Sequence, residues 1–286
     1  MAYWDYSRNH GERTWNQKWK CGTHQSPINI ITKNTVRKDG LDDLKFHGGK
    51  VKLALLNKGF NISISPLVSN DDSHINRDKC QLFVNGGPTE SEYYLKEFHF
   101  HWGDKSSKGS EHEIDGHKFD AELHLVHYKR NQHASFVDAL NHECGLCVIG
   151  IFLEKKDDVT TNPVLKDILD MTKHIPYKGD TYTGTKEIDL YDITKEISTE
   201  YFTYGGSLTT PPLSECVRWI VLKKPLYVSS SDLDNLYDIN ADTMGKEKFH
   251  DPCQREGDCA CAEMPKIRNN FRSCCSINDR IVSHVS

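Results

Sequence analysis

The segment EFHFHWG places two histidines on either side of one phenylalanine. Side chains of an extended strand alternate between its two faces, so His99 and His101 point to the same side. The aromatic residues Phe98, Phe100 and Trp102 then point to the other side, into an apolar core. Packing alone does not explain two imidazoles on one strand face. The pattern therefore predicts that both histidines face a common ligand.

Short segments with this alternation recur along the chain and indicate a mainly β (α+β) protein. They predict strands at 25–31, 50–57, 60–65, 93–102, 120–129, 146–154 and 216–228. Glycine-rich turn signals separate these strands. Helical patterns are confined to 134–143, 162–175 and 229–239. We therefore predict a domain built mostly of strands, with helices at its periphery.

The length of 286 residues fits one large domain or two small ones. No apolar run approaches about 18 residues, so we predict no membrane span. The net charge of -5 comes from interspersed acids and bases, which favours neither nucleic acid nor an anionic membrane as a partner. The first residues, MAYWDYSRNHG, lack the basic start and apolar stretch of a signal peptide.

Ten cysteines are present, and five of them lie between Cys253 and Cys275. Such clustering in a polar segment is typical of oxidising compartments, so we expect disulfide bonds and secretion, with a cytoplasmic location as the alternative. The stretch CQREGDCAC also fits thiolate ligation of a metal, but it lacks a CxxC pair. Cys144 and Cys147 do form a CxxC, yet Cys147 begins an apolar strand, which argues against a redox role.

A third histidine lies in the segment AELHLVHY, where His124 follows Glu122 on the same strand face. Together with His99 and His101 it would form a rigid tripod with one vacant position, which is the catalytic form of a zinc site. Glu122 and Glu97 are placed to accept the second N–H of ligand histidines. The alternative is a set of core histidines with ordinary hydrogen bonds, and the same-face pair beside an acid favours the metal.

Five motifs together resemble the α-class carbonic anhydrases: QSPINI, EFHFHWG, GSEHEIDG, AELHLVHY and GGSLTTPP. The resemblance runs from about Trp4 to Arg272, with the motifs in family order. It implies a large, twisted, mostly antiparallel central sheet of about ten strands with peripheral helices. It also implies a single catalytic domain over 1–286, with a Cys-rich loop and tail at about 242–286.

The resemblance further implies that His99, His101 and His124 bind Zn²⁺, and that Glu122 orients His124. Three neutral imidazoles leave the positive charge of zinc uncompensated, so a water ligand ionises and the zinc-bound hydroxide attacks carbon dioxide. The implied reaction is the reversible hydration of carbon dioxide to bicarbonate and a proton, catalysed by a zinc-dependent lyase. Hydrolysis of activated esters is expected as a side reaction.

Two threonines of GGSLTTPP are implied to act beside the metal. Thr209 would accept a hydrogen bond from the zinc-bound hydroxide and donate its own proton toward Glu111. The backbone N–H of Thr209 would meet the developing bicarbonate oxygen, and Thr210 would line the same pocket. The apolar wall of the pocket, where carbon dioxide waits, is implied to consist of Val126, Val148, Leu208 and Trp219.

The usual proton shuttle is missing from this sequence. Fast members of the family carry a histidine directly after a glycine on the rim of the site, whereas LLNKGFNISI has Phe60 after Gly59 and no histidine. His10 and His24 are candidates near the expected rim, although each is more often a surface histidine. We predict that proton transfer limits turnover and that added buffer accelerates it.

Fast members usually carry glutamine two residues before the first ligand, where this chain has Glu97. A carboxylate there adds negative charge to the ligand set, which predicts tight zinc binding and a higher pH midpoint of activity. A protonated Glu97 that imitates glutamine is the alternative.

Secreted members often pair a cysteine before QSP with one after TTPP. Cys21 fits the first place, but Leu213 occupies the second and Cys216 lies three residues further on, so the bridge is in doubt. The Cys-bearing segment 242–265 looks longer than in the family. It predicts either a disulfide-stapled surface patch or a docking site for a protein or matrix partner.

The main rival to an enzyme is an acatalytic binding module with the same fold. Such forms lose one or more of the zinc histidines, whereas all three are present here together with Thr209 and Glu111. We therefore expect a catalyst whose small-molecule partners are carbon dioxide and bicarbonate.

Overall fold

A computed structural model describes residues 4–7, 11–19, 22–41, 43–67, 81–195, 197, 199–243 and 265–286. Most of the Cys-bearing segment 242–265 lies outside these residues, and so do His10 and Cys21. The expectations for a docking loop, for a bridge from Cys21 and for His10 therefore stay predictions.

Strands make up most of the described secondary structure. They are β1 (Asn29–Ile30), β2 (Val36–Arg37), β3 (Lys45–His47), β4 (Lys52–Asn57), β5 (Ile62–Leu67), β6 (Phe83–Gly86), β7 (Thr89–Trp102), β8 (Glu113–Ile114), β9 (Ala121–Tyr128), β10 (Leu146–Lys155), β11 (Thr181–Thr183), β12 (Tyr201–Gly206), β13 (Val217–Val228) and β14 (Ser283–Val285). The helices are α1 (Glu12–Lys18), α2 (Phe136–Ala139), α3 (Pro163–Met171) and α4 (Ser230–Tyr237). None of the described helices is long and apolar enough to cross a membrane.

Twelve strands form one sheet, with the order β11-β4-β5-β7-β9-β10-β13-β12-β14-β2 and with β6 joining β3 to β7. The β10–β13 and β14–β2 pairs are parallel, and the remaining pairs of this sheet are antiparallel. Strands β1 and β8 form a separate parallel pair. The prediction of a mainly β protein with a large, mostly antiparallel sheet is confirmed, and the sheet is slightly wider than predicted.

The central strand β7 has one apolar face and one polar face. Phe98, Phe100 and Trp102 are fully buried in the larger of two apolar clusters, as the alternation predicts. The register against β9 shifts between Leu95 and Glu97, where β7 carries a bulge. A bulge reorients the residues that follow it. Here it precedes the histidines of β7 and sets which residues of β9 they face.

The predicted helices exist, and all three begin at side-chain caps, with Ser135 capping α2. Asn162 accepts hydrogen bonds from the first turn of α3, and the hydroxyl of Ser229 accepts one from Asp232 N at the start of α4. The helix predicted at 134–143 is shorter than expected, because α2 ends at Ala139 and the chain then passes through turns. Before β10 the backbone at Gly145 passes close to α2, and only glycine fits there. A Cβ at this position would lie 2.0 Å from the carbonyl oxygen of Ala139.

The prediction of disulfide bonds is not supported. Five of the ten cysteines are described, and no disulfide joins any two of them. Burial raises the pKa of both Cys147 and Cys216 to about 12, so these thiols stay protonated inside the sheet. A redox cysteine needs an accessible thiolate, which Cys147 does not offer. Cys147 is therefore a packed core residue.

Candidate metal centre

Three histidines converge where β7 lies beside β9. His99 pairs with His124 across the two strands, and His101 pairs with Glu122. One ring nitrogen from each of the three histidines lies within 4.8 Å of the others. The ring centroids are 4.9 Å apart for His99 and His101, 5.4 Å for His99 and His124, and 4.6 Å for His101 and His124. The structure thus brings together the three histidines that the sequence singled out.

Glu97 fixes the ring of His99. Its Oε1 accepts the Nδ1–H of His99 at 2.9 Å, and its Oε2 accepts the hydroxyl of Ser63 at 2.5 Å. Burial opposes a charge on this carboxyl, but His99, Lys58 and Ser63 outweigh it and lower the pKa of Glu97 to about 2. The low pKa favours an ionised Glu97 over the protonated form that would imitate glutamine. Nε2 of His99 is left to face the centre.

A backbone carbonyl fixes the ring of His101. Its Nδ1–H donates to the carbonyl oxygen of Asn270 at 2.7 Å. The Asn270 side chain accepts the backbone N–H of Trp102 at 2.7 Å, which holds this carbonyl beside β7. Burial lowers the pKa of His101 to about 3, so the imidazole is neutral and its second nitrogen carries a lone pair. Asn270 was not identified from the sequence.

Glu122 is the hydrogen-bond hub of the centre. Its Oε1 bonds Nε2 of His124 and Nδ1 of His112, both at 2.7 Å. Its Oε2 accepts the backbone N–H groups of Glu111 and His112, both at 2.8 Å. Burial works against the charge, but the two histidines hold the pKa of Glu122 well below its ordinary value. The bond to Nε2 leaves Nδ1 of His124 to face the centre.

Two residues that sequence reasoning missed support this hub. Nε2 of His112 bonds the hydroxyl of Tyr204 at 2.7 Å, so its ring is held at both nitrogens. Gly150 lies opposite His124 in the sheet, and a Cβ there would approach Oε1 of Glu122 to 2.9 Å. The only available signal for His112 was its position beside Glu111 in GSEHEIDG.

Two buried polar atoms at the centre have no hydrogen-bond partner among the described residues. They are Nε2 of His101 and Oε2 of Glu111, which lie 3.4 Å apart. The same carboxylate oxygen is 3.8 Å from Nδ1 of His124. Unpaired buried polar atoms are costly and indicate a missing partner. Zinc binds neutral imidazoles whose second ring nitrogen donates a hydrogen bond to a nearby acceptor. The three histidines have this arrangement, so the residues present fit this metal.

Glu111 is fixed by the C-terminal part of the chain. Its Oε1 accepts the backbone N–H of Arg272 at 2.8 Å. The guanidinium of Arg272 donates to the side-chain oxygen of Gln25 at 2.9 Å and to the carbonyl of Ser26 at 2.8 Å. Gln25 and Ser26 of the QSPINI motif thus hold Arg272, and Arg272 in turn holds Glu111. Arg272 was missed because its contribution is a backbone group.

The turn after β12 carries the two threonines. Leu208 N donates to Ser214 O at 3.0 Å, and Leu213 N donates to Thr210 O at 3.0 Å, so backbone bonds close the turn. Thr209 is buried and Thr210 is partly exposed. No hydrogen bond joins the hydroxyl of Thr209 to Glu111 in the described residues. The predicted relay between these side chains therefore stays a proposal.

The predicted apolar wall forms a row across three strands. Val148 on β10 lies between Val126 on β9 and Trp219 on β13 in register. All three belong to the second apolar cluster, and Leu208 packs against it. The rings of Trp219 and His124 are 4.9 Å apart, so the wall borders one of the three histidines.

The shortened turn at the expected shuttle position is filled by an aromatic ring. Gly59 has a φ of 84°, and Phe60 packs its ring 4.6 Å from the ring of Trp4. His24, a candidate replacement, places its Nε2 3.1 Å from a carboxylate oxygen of Asp279. Its imidazole is therefore engaged in a surface hydrogen bond.

Comparison with known proteins gives a consistent result. Residues 10–286 match the family model of the eukaryotic-type carbonic anhydrases. The chain is 35% identical to carbonic anhydrase 7 of Mus musculus over 250 residues, which cover 86% of this chain and 89% of that protein. It is 35% identical to carbonic anhydrase 7 of Homo sapiens over 253 residues, with the same two coverages. The mitochondrial carbonic anhydrase 5A of Homo sapiens is 36% identical over 228 residues, 79% of this chain and 70% of that protein.

Proposed function

Because this chain belongs to the eukaryotic-type carbonic anhydrase family, a family of zinc-dependent lyases, we propose that it hydrates carbon dioxide reversibly to bicarbonate and a proton. The observation that carries the proposal is the convergence of three fixed histidine rings on a point where two buried polar atoms lack partners among the described residues. Stopped-flow measurement of carbon dioxide hydration tests it. Activity of the zinc-loaded protein is the expected result, and no activity would favour a binding module.

His99, His101 and His124 would hold the zinc through the ring nitrogens that have no hydrogen bond to the described residues. When bound, zinc supplies a Lewis acid that lets a water ligand ionise near neutral pH. Glu97, the carbonyl of Asn270 and Glu122 keep the three rings in place by accepting their outer N–H groups. Such outer hydrogen bonds fix the tautomer and the orientation of ligand histidines.

Thr209 and Glu111 would orient the reacting oxygen. Oε2 of Glu111 is buried and has no partner among the described residues, so it can accept a hydrogen bond from the hydroxyl of Thr209. Arg272 N holds the other carboxylate oxygen and keeps Glu111 from turning away. A hydroxyl that donates to Glu111 can only accept from the reacting group, which aims that group at the substrate. The backbone N–H of Thr209 would meet the negative charge that develops on the product.

Val126, Val148, Leu208 and Trp219 would bind carbon dioxide before the reaction. Carbon dioxide has no net dipole, so an apolar wall can bind it without having to replace strong contacts with water. The adjoining Thr210 would line the polar side of the same pocket. The contact of Trp219 with the ring of His124 supports this arrangement, because it brings the wall next to the proposed metal.

We expect carbon dioxide hydration to rise with the concentration of imidazole buffer. The segment LLNKGFNISI contains no histidine, so protons would leave through water, through dissolved buffer or through another group such as His10 or His24. Stopped-flow rates at saturating carbon dioxide, across a series of imidazole concentrations, measure this dependence.

His24→Ala is the matched control for this prediction. Because His24 pairs with Asp279, its loss is expected to leave the buffer-free rate unchanged. A high rate that is independent of imidazole would contradict the account. A drop in the buffer-free rate of His24→Ala would identify that histidine as a shuttle.

Glu97→Gln is expected to lower the pH midpoint of carbon dioxide hydration. The ionised Glu97 adds a negative charge through His99, which makes any ionisation at the metal harder. Removing that charge makes the ionisation easier, so the midpoint moves to lower pH. The measurement is kcat/KM against pH for both proteins.

Ser63→Ala is the matched control for Glu97→Gln. It removes one hydrogen bond to Glu97 but keeps the carboxylate charge, so its midpoint is expected to stay near that of the unmodified protein. An equal or higher midpoint for Glu97→Gln would show that the charge does not act on the centre.

We also propose that 1–286 form one catalytic domain that works outside the cell, where 242–265 contact a protein or matrix partner. The support is the clustering of cysteines in the last part of the chain. A cytoplasmic setting is the alternative.

A further inference from the structure

We propose that His133, Asp138 and His142 form a second divalent-metal site, on the surface and separate from the catalytic centre. One potential ligand atom from each of the three side chains lies within 4.8 Å of the others. This inference rests on local geometry and does not depend on the proposed function.

The three residues lie in the connection between β9 and β10. On β9, His124 lies four residues before the last residue of the strand, Tyr128. Four residues of extended chain span roughly 13 Å. His133 comes after the end of the strand, and the described group of His133, Asp138 and His142 shares no residue with the group of His99, His101 and His124. The two groups of side chains are distinct.

Backbone hydrogen bonds hold the connection in shape. His133 N donates to Lys129 O at 3.1 Å, and His142 N donates to Ala139 O at 3.2 Å. The hydroxyl of Ser135 accepts Asp138 N at 3.0 Å and caps α2. Both histidines and the aspartate are therefore attached to fixed points of the chain, which lowers the entropic cost of binding an ion.

The polar atoms of the cluster converge without satisfying one another. Nδ1 of His133 is 3.7 Å from one oxygen of Asp138, and Nε2 of His142 is 3.6 Å from the other. Both distances exceed an ordinary hydrogen bond. The two imidazole rings stack with centroids 4.5 Å apart. Neither imidazole has a hydrogen bond from its ring to any described residue.

Binding one ion requires the stacked rings to reorient, because an imidazole ligates a metal in its own plane and the two planes are only 23° apart. Zinc takes histidine nitrogens at about 2.0–2.1 Å, which puts neighbouring ligand atoms about 3.3 Å apart in a tetrahedron. The side chain of His133 is only 10% exposed and is the fixed ligand. Those of Asp138 and His142 are 42% and 52% exposed, so they have room to close around an ion.

The ligand chemistry selects the class of ion. Two imidazoles and one carboxylate suit Zn²⁺, Ni²⁺ and Cu²⁺, and they leave positions open for water. The nearby cations are directed elsewhere, since Lys129 Nζ lies over the ring of Tyr93 and the Arg130 guanidinium over the ring of Tyr94. Oδ2 of Asp138 accepts the backbone N–H of Ala134 at 3.1 Å, and a carboxylate oxygen keeps a second lone pair for an ion.

The test counts metal ions on the zinc-loaded protein. Equilibrium dialysis against Ni²⁺, followed by elemental analysis, is compared for the unmodified chain, His142→Ala and Asp138→Asn. We expect His142→Ala to bind one equivalent fewer, and Asp138→Asn to bind that equivalent more weakly. His117→Ala, at an exposed histidine outside every candidate metal group, is expected to change nothing.

The comparison between variants isolates this site from any metal bound by the cysteine-rich segment, which is identical in all of them. Carbon dioxide hydration is expected to be the same in all four proteins, because none of the changes touches the catalytic centre. An equal nickel content in the unmodified chain and His142→Ala would overturn the proposal. With Cu²⁺, electron paramagnetic resonance should show two coordinated nitrogens that fall to one in His142→Ala, and an unchanged spectrum would also overturn it.

Discussion

His101→Ala is expected to lose its zinc and to hydrate carbon dioxide no faster than the buffer alone. His101 is fully buried, its Nδ1 is held by Asn270, and its Nε2 has no partner among the described residues. Removal leaves only two histidine ligands, and alanine offers no donor in place of the third. Zinc content by elemental analysis and stopped-flow hydration measure the two effects.

His127→Ala is the matched control for this variant. His127 is also a fully buried strand histidine, but it lies on the opposite face of β9 and bonds Leu125 O and the hydroxyl of Tyr191. Both variants lose a buried imidazole, so both lose some stability, which circular dichroism checks. His127→Ala is expected to keep its zinc. A His101→Ala protein that retains zinc and activity would contradict the proposed ligand set.

Thr209→Val is expected to lower kcat/KM by on the order of a hundredfold while zinc stays bound. Valine keeps the shape of threonine and removes only the hydroxyl. Oε2 of Glu111 then has no donor, and nothing orients the reacting oxygen toward the substrate. The effect on kcat/KM separates this role from zinc binding, which elemental analysis follows in the same samples.

Thr209→Ser tests whether the hydroxyl itself is responsible. Serine keeps the donor and the backbone N–H, so most of the lost activity should return relative to Thr209→Val. If Thr209→Val stays within a few-fold of the unmodified protein, then Thr209 and Glu111 do not form the proposed relay.

Strand periodicity predicted which side chains share a face. Phe98, Phe100 and Trp102 are in the core and His99 and His101 are on the other face, because a strand has a strict two-residue repeat. The same rule cannot predict pairing between strands. His99 lies opposite His124 because the register shifts at a bulge between Leu95 and Glu97. A register shift of this kind leaves no pattern in the sequence.

The supports of the centre were the hardest part to predict. Asn270 and Arg272 act on His101 and Glu111 through a backbone carbonyl and a backbone N–H, which any residue type provides. The number of cysteines did not predict their pairing, since the described thiols form no disulfide with one another. Buried free cysteine packs like a small apolar residue, which a count cannot distinguish from a disulfide.

The most direct test of the account is carbon dioxide hydration while zinc is titrated into the metal-free protein in imidazole buffer. We expect no activity without metal, and a rate that rises with zinc and reaches a plateau when the site of His99, His101 and His124 is filled. A protein that binds zinc but stays inactive at every concentration would contradict it, and would identify the chain as a binding module with the fold of an enzyme.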